Sequence, residues 1–207
     1  MTVNAVIFDI GNVLIEWNPE RHFDGTIGSE RRKRLFAEVD LHAMNLSVDR
    51  GAPFRDSVMA LADRHPEWAT EIRDWHDSWI HMVSPEIPHS VHLLRALRAK
   101  GIAVFALSNF GIDTFDLAAT YYPFFHEFDR RYVSGHLKML KPEPEIFAHV
   151  ESDCGLAPET LLFTDDVVEN IAGAAARGWA THLFTHPLGW ADRLVAEGLL
   201  TKSEATP

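Results

Sequence analysis

Residues 5–14 read AVIFDIGNVL, which is a short apolar run followed by Asp9 and a turn that contains Gly11. An unbroken apolar run of this length is typical of a strand that is buried on both faces of a parallel sheet. In open parallel sheets, functional side chains lie just past the carboxyl ends of the strands. We therefore predict that Asp9 lies in a functional site at the end of the first strand.

A second acidic position lies far downstream, where Asp165 and Asp166 follow the apolar residues 161–163. If the two strand ends are neighbours, three carboxylates converge on one point. Like charges at that separation are unfavourable unless a cation or a shared proton neutralises them. A small set of oxygen ligands favours Mg²⁺. The sequence thus predicts a magnesium site built from both ends of the chain.

Strand and helix patterns alternate along the second half of the chain. We predict strands at 102–107, 161–163 and 181–184, with a weaker strand signal at 128–133, and helices at 91–99, 115–121, 142–154 and 168–177. This alternation is typical of a parallel sheet with helices on both faces. The expected fold class is α/β, with a Rossmann-like three-layer α/β/α core.

Residues 29–82 show helical spacing instead. We predict helices at 29–39 and 53–63 and one continuous helix from Pro66 to Met82, with its proline in the first turn. The expected domain division is a core of residues 1–16 and 84–207, and an inserted α-helical cap of residues 17–83. The polar residues beyond Leu200 are predicted to fray.

Composition limits the classes of partner. Thirty acidic residues against 19 basic ones give a formal net charge of −11, which argues against nucleic-acid binding. The single cysteine, Cys154, suits a reducing compartment. We see no signal peptide and no apolar run of about 18 residues that would span a membrane. We expect a cytoplasmic monomer or homodimer with a small-molecule partner and no nucleic-acid or membrane partner.

Four segments in order resemble the motifs of the haloacid dehalogenase superfamily. They are FDIGNVL at 8–14, LSN at 107–109, KPEP at 141–144 and FTDD at 163–166. The DRG triplet at 49–51, together with the helical insert, resembles the small-phosphatase branch of that superfamily. The resemblance implies a Mg²⁺-dependent hydrolase that acts on a small phosphorylated metabolite, and a sugar phosphate is one candidate.

The resemblance implies a role for each residue at the metal site. Asp9 would be the nucleophile that attacks phosphorus and forms an aspartyl-phosphate. Mg²⁺ would bind Asp9, the backbone carbonyl of Gly11, Asp165 and Asp166. Asn170 would orient the aspartate pair, and a purely structural role is its alternative.

Further residues are implied to bind substrate. Ser108 and Asn109 would bind phosphoryl oxygens, and Gly11, Asn12 and Trp17 would complete the substrate site. Lys141 would contact both Asp9 and the phosphate as a point charge. Lys138 competes for this role, but the superfamily's lysine directly precedes a proline, as Lys141 does.

The chain departs from the phosphatase pattern at Gly11, where an aspartate usually serves as acid and base. General acid–base help is worth about 10²–10⁴ in rate. We expect a slower enzyme, a preference for good leaving groups, or a proton supplied from elsewhere, with Glu16 and His22 as candidates.

Two other functions stay open at this stage. A metal-independent 2-haloacid dehalogenase would also use Asp9, but on carbon, and it would gain nothing from Asp165 and Asp166. A non-catalytic small-molecule-binding protein could also use the same fold.

Overall fold

The computed structural model of the protein describes residues 2–207, in which seven strands and twelve α-helices follow one another. The strands are β1 Ala5–Phe8, β2 Ile15–Trp17, β3 Val83–Glu86, β4 Ala103–Ser108, β5 Arg130–Val133, β6 Leu161–Asp165 and β7 Ala180–Leu183. The helices are α1 Pro19–Ile27, α2 Ser29–Glu38, α3 Leu41–Asp49, α4 Phe54–Arg64, α5 Ala69–Asp77, α6 Trp79–Met82, α7 Pro88–Ala99, α8 Ile112–Tyr121, α9 Ser134–Leu137, α10 Pro144–Cys154, α11 Val168–Ala176 and α12 Pro187–Ala196. None of the helices in residues 2–207 is both long and apolar enough to cross a lipid bilayer.

Five strands form one parallel sheet in the order β5-β4-β1-β6-β7, so β1 lies at its centre. Phe8 pairs with Ala106 of β4 on one side and with Thr164 of β6 on the other. This register places Asp9 level with Asp165, since each residue directly follows a paired position. The predicted α/β fold with a parallel sheet is confirmed, and the sheet brings the two acidic strand ends together.

Alternate residues of β1 enter two separate apolar clusters. Val6 and Phe8 belong to the cluster that includes α7, α12 and the helical insert, whereas Ala5 and Ile7 belong to the cluster formed with α10 and α11. All four side chains are fully buried. Burial on both faces explains why the strand is a continuous apolar run instead of an alternating one.

The helical insert, residues 19–82, lies between β2 and β3. These two short strands pair in antiparallel fashion, so the chain enters and leaves the insert at one place. Sequence patterns did not predict this pair, because three- and four-residue strands are too short to show a period. The insert contains α1–α6, and the division at residues 17 and 83 stays a prediction.

The continuous helix predicted from Pro66 to Met82 is wrong in detail. It consists of a 3₁₀ turn at Pro66–Trp68, α5 and the short α6, with a break at Ser78. The Ser78 hydroxyl donates to Asp74 Oδ1 at 2.6 Å. The backbone of Ser78 has φ −110° and ψ 12°, outside the helical region, so the helix is interrupted at this residue.

The fraying predicted beyond Leu200 is also wrong, because the tail docks on α7. The ring nitrogens of His89 and His92 donate to the carbonyls of Ala205 and Glu204, each at 2.8 Å. Ala205 is buried as a result. Two histidines one turn apart therefore supply partners for tail carbonyls that would otherwise face water.

Phe147 on α10 provides a test of the second apolar cluster. Its ring is fully buried and makes edge contacts with Trp179 and Phe163, at centroid distances of 5.5 and 6.3 Å. We expect Phe147→Ala to lower the free energy of unfolding by about 3–5 kcal/mol, because it leaves a cavity. Denaturant titration measures the loss. The exposed Leu188→Ala is the control, with an effect within about 0.5 kcal/mol. Equal small effects for both variants would contradict this packing.

Candidate active site

Three carboxylates meet where β1 and β6 end. Asp9 follows β1, Asp165 is the last residue of β6, and Asp166 is the next residue along the chain. One carboxylate oxygen from each lies within 4.8 Å of the others. Parallel pairing of the two strands causes this convergence, as the sequence predicts.

Lys141 lies between two of these carboxylates. Its Nζ is 3.0 Å from Asp9 Oδ1 and 2.6 Å from Asp165 Oδ2, and the side chain is almost completely buried. Burial lowers the pKa of Lys141, but the charges of Asp165 and Asp9 outweigh that effect, so the net pKa is raised. The lysine is therefore charged. Lys138, the competing candidate, is exposed and does not line the site.

The Asp9 carboxylate is engaged on one oxygen only. Oδ1 accepts from the backbone N–H of Ile10 and from the Ser108 hydroxyl, both at 2.7 Å, in addition to Lys141. Oδ2 has no hydrogen-bond partner among residues 2–207. Burial raises the pKa of Asp9 to about 7, Asp165 and Asp166 add to this effect, and Lys141 and Ser108 oppose it. Asp9 thus has one free oxygen in an environment that is short of positive charge.

Asp165 and Asp166 have different surroundings. Asp165 is fully buried, and its oxygens accept from Lys141, from the backbone N–H of Val167 at 2.8 Å and from Asn170 Nδ2 at 3.0 Å. Asp166 instead lines the cavity and accepts from Asn12 Nδ2 at 3.0 Å. Burial and the charge of Asp165 raise the pKa of Asp166. Both acids end up beside one another, but only Asp166 faces the open space.

Two asparagines fix the loops around these acids. Asn12 has a positive φ of 54°, a region that asparagine tolerates, and its Oδ1 accepts from the backbone N–H of Trp17 at 2.9 Å. Asn109 donates to the carbonyl of Lys141 at 2.9 Å and accepts from the Lys141 N–H at 2.8 Å. The Asn109 side chain therefore positions the lysine loop.

A cavity of about 210 Å³ opens above the acids. The predicted site residues that line it are Asp9, Gly11, Asn12, Trp17, Ser108, Asn109, Lys141, Asp166 and Asn170. Asp165 does not line it, since it lies behind Lys141. The structure thus gathers the ten residues predicted to bind metal or substrate or to support them: nine line the cavity, and Asp165 lies behind Lys141.

Several lining residues were not predicted. They are Ile15, Asn45, Asp49, Trp79, Val83, Phe110 and Val167. Asn45 and Asp49 come from α3 of the insert, and Asn45 Nδ2 donates to Asp49 Oδ2 at 3.0 Å. Burial raises the pKa of Asp49 to about 7, and the charge of Asp9 adds to this effect. Asp49 is the first residue of the DRG triplet, which carries a family resemblance in the sequence but did not predict that Asp49 lines the site.

Neither proton donor suggested by the sequence lines the cavity. Glu16 forms an ion pair with Arg21, and His22 Nε2 lies 2.7 Å from Asp74 Oδ2. Strand β2 directs Ile15 and Trp17 into the cavity and the intervening Glu16 to its other face, because side chains alternate along a strand. His22 connects α1 to α5 instead.

Known proteins resemble this chain over most of its length. The sesquiterpene phosphatase astK of Aspergillus oryzae is 27% identical over 187 residues, which cover 86% of this chain and 87% of that protein. The drimenol cyclase drtB of Aspergillus calidoustus is 24% identical, and the match covers 88% of this chain but 34% of that protein. The chain therefore spans about a third of the length of drtB.

A solved structure shares both the fold and part of the sequence. It is a HAD family enzyme of Bacteroides thetaiotaomicron in complex with magnesium and inorganic phosphate, with 26% identity and a TM-score of 0.69, covering 89% of this chain and 95% of that one. Residues 3–178, which contain all the predicted site residues, match the haloacid dehalogenase-like hydrolase family. The chain is a hydrolase that belongs to this family.

Proposed function

We propose that the protein is a Mg²⁺-dependent phosphomonoesterase that works through an aspartyl-phosphate on Asp9. The observation that carries the proposal is the convergence of three carboxylates and one buried lysine at the floor of a cavity. The phosphate and magnesium bound in the Bacteroides enzyme, and the activity named for astK, support it. The presence of Asp9, Lys141, Asp165 and Asp166 in one site favours an enzyme over a non-catalytic binding protein on the same fold.

The chemistry follows from the two oxygens of Asp9. Oδ1 is fixed by three donors, so Oδ2 attacks phosphorus while the bond from phosphorus to the alcohol oxygen breaks. Water then attacks the phosphorus, the Asp9–phosphorus bond breaks, and inorganic phosphate leaves. Lys141 and Ser108 hold Asp9 Oδ1 in place. The Ser108 hydrogen is committed to Asp9, whereas the Lys141 ammonium has a third N–H that can donate to a phosphoryl oxygen.

The residues present fit a divalent cation. Asp9 and Asp166 both face the cavity with raised pKa values, which come first from burial and then from repulsion by Asp165, and a cation would offset that repulsion. Bound there, Mg²⁺ would neutralise charge on the transferring phosphoryl group. The candidate ligands are Asp9, the Gly11 carbonyl and the pair Asp165–Asp166, whose two members differ in their hydrogen bonds.

The hydrogen bonds favour Asp166 over Asp165 as the direct ligand. Every Asp165 oxygen already accepts from Lys141, Asn170 or the Val167 N–H. Asp165 and Asn170 would therefore support the site indirectly, by orienting Lys141 and the loop that carries Asp166. Gly11, Asn12, Trp17 and Asn109 shape the substrate side of the site.

The cavity also favours a class of substrate. Its floor is charged, whereas its walls are mainly the apolar side chains of Ile15, Trp17, Trp79, Val83 and Phe110. A sugar presents several hydroxyls that need polar partners, whereas the insert supplies two polar side chains to these walls, Asn45 and Asp49. We propose a small phosphate ester with an apolar organic group, in preference to a sugar phosphate. The sesquiterpene substrate class named for astK supports this choice.

Dehalogenation of a haloacid suits the site less well. The substrate's own carboxylate would lie among Asp9, Asp165 and Asp166. No arginine is found among the cavity-lining residues in the described chain, residues 2–207, so nothing there clamps that carboxylate. Repulsion of the haloacid favours the phosphatase.

Asp9→Asn tests the nucleophile. We expect kcat with p-nitrophenyl phosphate to fall by at least about 10³-fold, because an amide cannot form the acyl-phosphate. The matched control is Asp56→Asn, an exposed aspartate of the insert, which should retain wild-type kcat. A fully active Asp9→Asn protein would remove the covalent scheme.

Metal removal tests the cation. A chelator should abolish phosphatase activity, and added Mg²⁺ should restore it. Asp166→Asn should raise the Mg²⁺ concentration for half-activation more than tenfold, whereas Asp165→Asn should mainly lower kcat, by about 10–100-fold. Halide release from a 2-haloacid that persists in chelator, without phosphatase activity, would instead identify a dehalogenase.

A pair of small esters tests the substrate class. We expect kcat/KM for dimethylallyl phosphate to exceed that for glucose 1-phosphate by about tenfold or more, since apolar carbon packs against the walls. Trp17→Ala should reduce the first value more than the second. A preference for the sugar phosphate would contradict the apolar assignment.

A further inference from the structure

The usual acid–base position, residue 11, is a glycine in this chain, although the structure has space for a side chain there. A Cβ atom built on Gly11 meets only Trp17 Cβ, at 4.0 Å, which is ordinary contact. The backbone at Gly11 has no positive φ that would require glycine. Because glycine has no side-chain proton to donate, a proton for the leaving group has to come from another part of the cavity.

The cavity offers one such group. The titratable side chains among its lining residues are Asp9, Asp49, Lys141 and Asp166 in the described part of the chain. The proposed function already uses Asp9 as nucleophile, Lys141 as point charge and Asp166 as metal ligand. Asp49 projects from the insert, whereas the other three belong to the core.

We propose that Asp49 is the general acid and general base of this enzyme, in place of the residue missing at position 11. The assignment rests on the proposed phosphatase function. It makes Asp49 a catalytic residue, because its carboxyl group would contact the alcohol oxygen of the substrate and then the attacking water.

The end of α3 is held against the core at unusually close range. The Ser134 hydroxyl donates to the Asp49 carbonyl at 2.6 Å, and the backbone of Gly111 hydrogen-bonds to the Asp49 carboxylate. A Cβ on Gly111 would lie 2.5 Å from Val48 Cγ1, and one on Gly51 would lie 2.6 Å from the Gly135 carbonyl oxygen. Only glycine permits these approaches, which place the carboxyl group without a flexible linker.

The neighbouring residue couples this position to the lysine loop. Arg50 forms an ion pair with Glu143, which lies two residues after Lys141. Glu143 Oε2 also accepts from the backbone N–H of Leu140 at 3.1 Å. Asp49 and Lys141 thus lie on segments that contact each other through this ion pair.

The protonation state of Asp49 suits the role. Burial and the nearby charge of Asp9 raise its pKa to about 7, against the hydrogen bonds from Gly111 and Asn45 that stabilise the carboxylate. A carboxyl group with a pKa near neutrality is able both to give and to take a proton.

The proton balance closes over two steps. In the first, Asp9 Oδ2 bonds to phosphorus, the bond from phosphorus to the alcohol oxygen breaks, and the Asp49 proton moves to that oxygen, so a neutral alcohol leaves. In the second, the Asp49 carboxylate takes a proton from water, the water oxygen bonds to phosphorus, and the Asp9–phosphorus bond breaks. Phosphate leaves, and Asp9 and Asp49 return to their starting states.

Asp49→Asn tests the assignment with two leaving groups of similar shape. For phenyl phosphate, whose phenol leaves poorly, we expect kcat to fall by about 10²-fold or more. The nitrophenolate of p-nitrophenyl phosphate leaves without a proton, so formation of the aspartyl-phosphate should stay fast in the variant. Hydrolysis of the aspartyl-phosphate still lacks its general base and should be slow. A burst of about one nitrophenolate per site should therefore precede slow turnover. The control Asp56→Asn, exposed on α4, should show wild-type kinetics and no burst.

A second substitution distinguishes a catalytic role of Asp49 from a role in packing the insert. Adding Gly11→Asp to Asp49→Asn should restore kcat for phenyl phosphate by at least about tenfold, since the acid returns at another position. A variant that merely loosened the insert would raise KM for both substrates, give no burst and not be rescued. That result would overturn the proposal.

The wild-type protein provides a test that needs no variant. If an acid protonates the leaving group, kcat/KM for a series of substituted phenyl phosphates should depend weakly on the pKa of the phenol. A steep dependence would overturn the role of Asp49 even if Asp49→Asn did not fold. Absence of any phosphatase activity in the wild-type protein with Mg²⁺ would contradict the proposed function itself, which is a different outcome.

Discussion

A single ammonium group, that of Lys141, lies between carboxylates that come from opposite ends of the chain. Its contacts with Asp9 and Asp165 are buried away from water, and an unpaired charge in such surroundings is very costly. The pairing of β1 with β6 is what brings both acids within its reach. Removing the lysine would leave three carboxylates in mutual repulsion, so the geometry of the whole site depends on this charge balance.

The single positive charge of Lys141 does not neutralise three carboxylates, and the remaining negative charge determines the proposed chemistry. The pKa of Asp9 and the pKa of Asp166 are both raised, and both side chains face the cavity. Asp165 is instead saturated with donors. A cation would therefore bind on the side of the site that faces the cavity, beside Asp9 and Asp166. A phosphoryl group bound in the cavity would then face the charges of the cation and of Lys141. The insert adds apolar walls and, as proposed, the proton that Gly11 cannot supply.

Strand ends were the most predictable part of the site. Asp9 and Asp165 follow short, continuous apolar runs, which are typical of central parallel strands, and the end of a strand fixes where the next side chain lies. Glu16 and His22 show the limit of that reasoning. Both are close to Asp9 in sequence, but the alternation of β2 and the pairing of His22 with Asp74 turn them away. Asp49 lies forty residues from the nucleophile, and no local period connects it to the cavity.

The order of residues alone was enough for the α/β class, the acidic pair of strand ends, the lysine before the proline and the helical character of the insert. Each of these is a local property, expressed as a run, a period or a motif. Which acid faces the open space, which asparagine holds the lysine loop and which side chain of the insert overhangs the site became clear only in the folded chain. Those outcomes depend on contacts between α3, the Gly111 turn and the carboxyl edge of the sheet, segments that approach one another only when the core is packed.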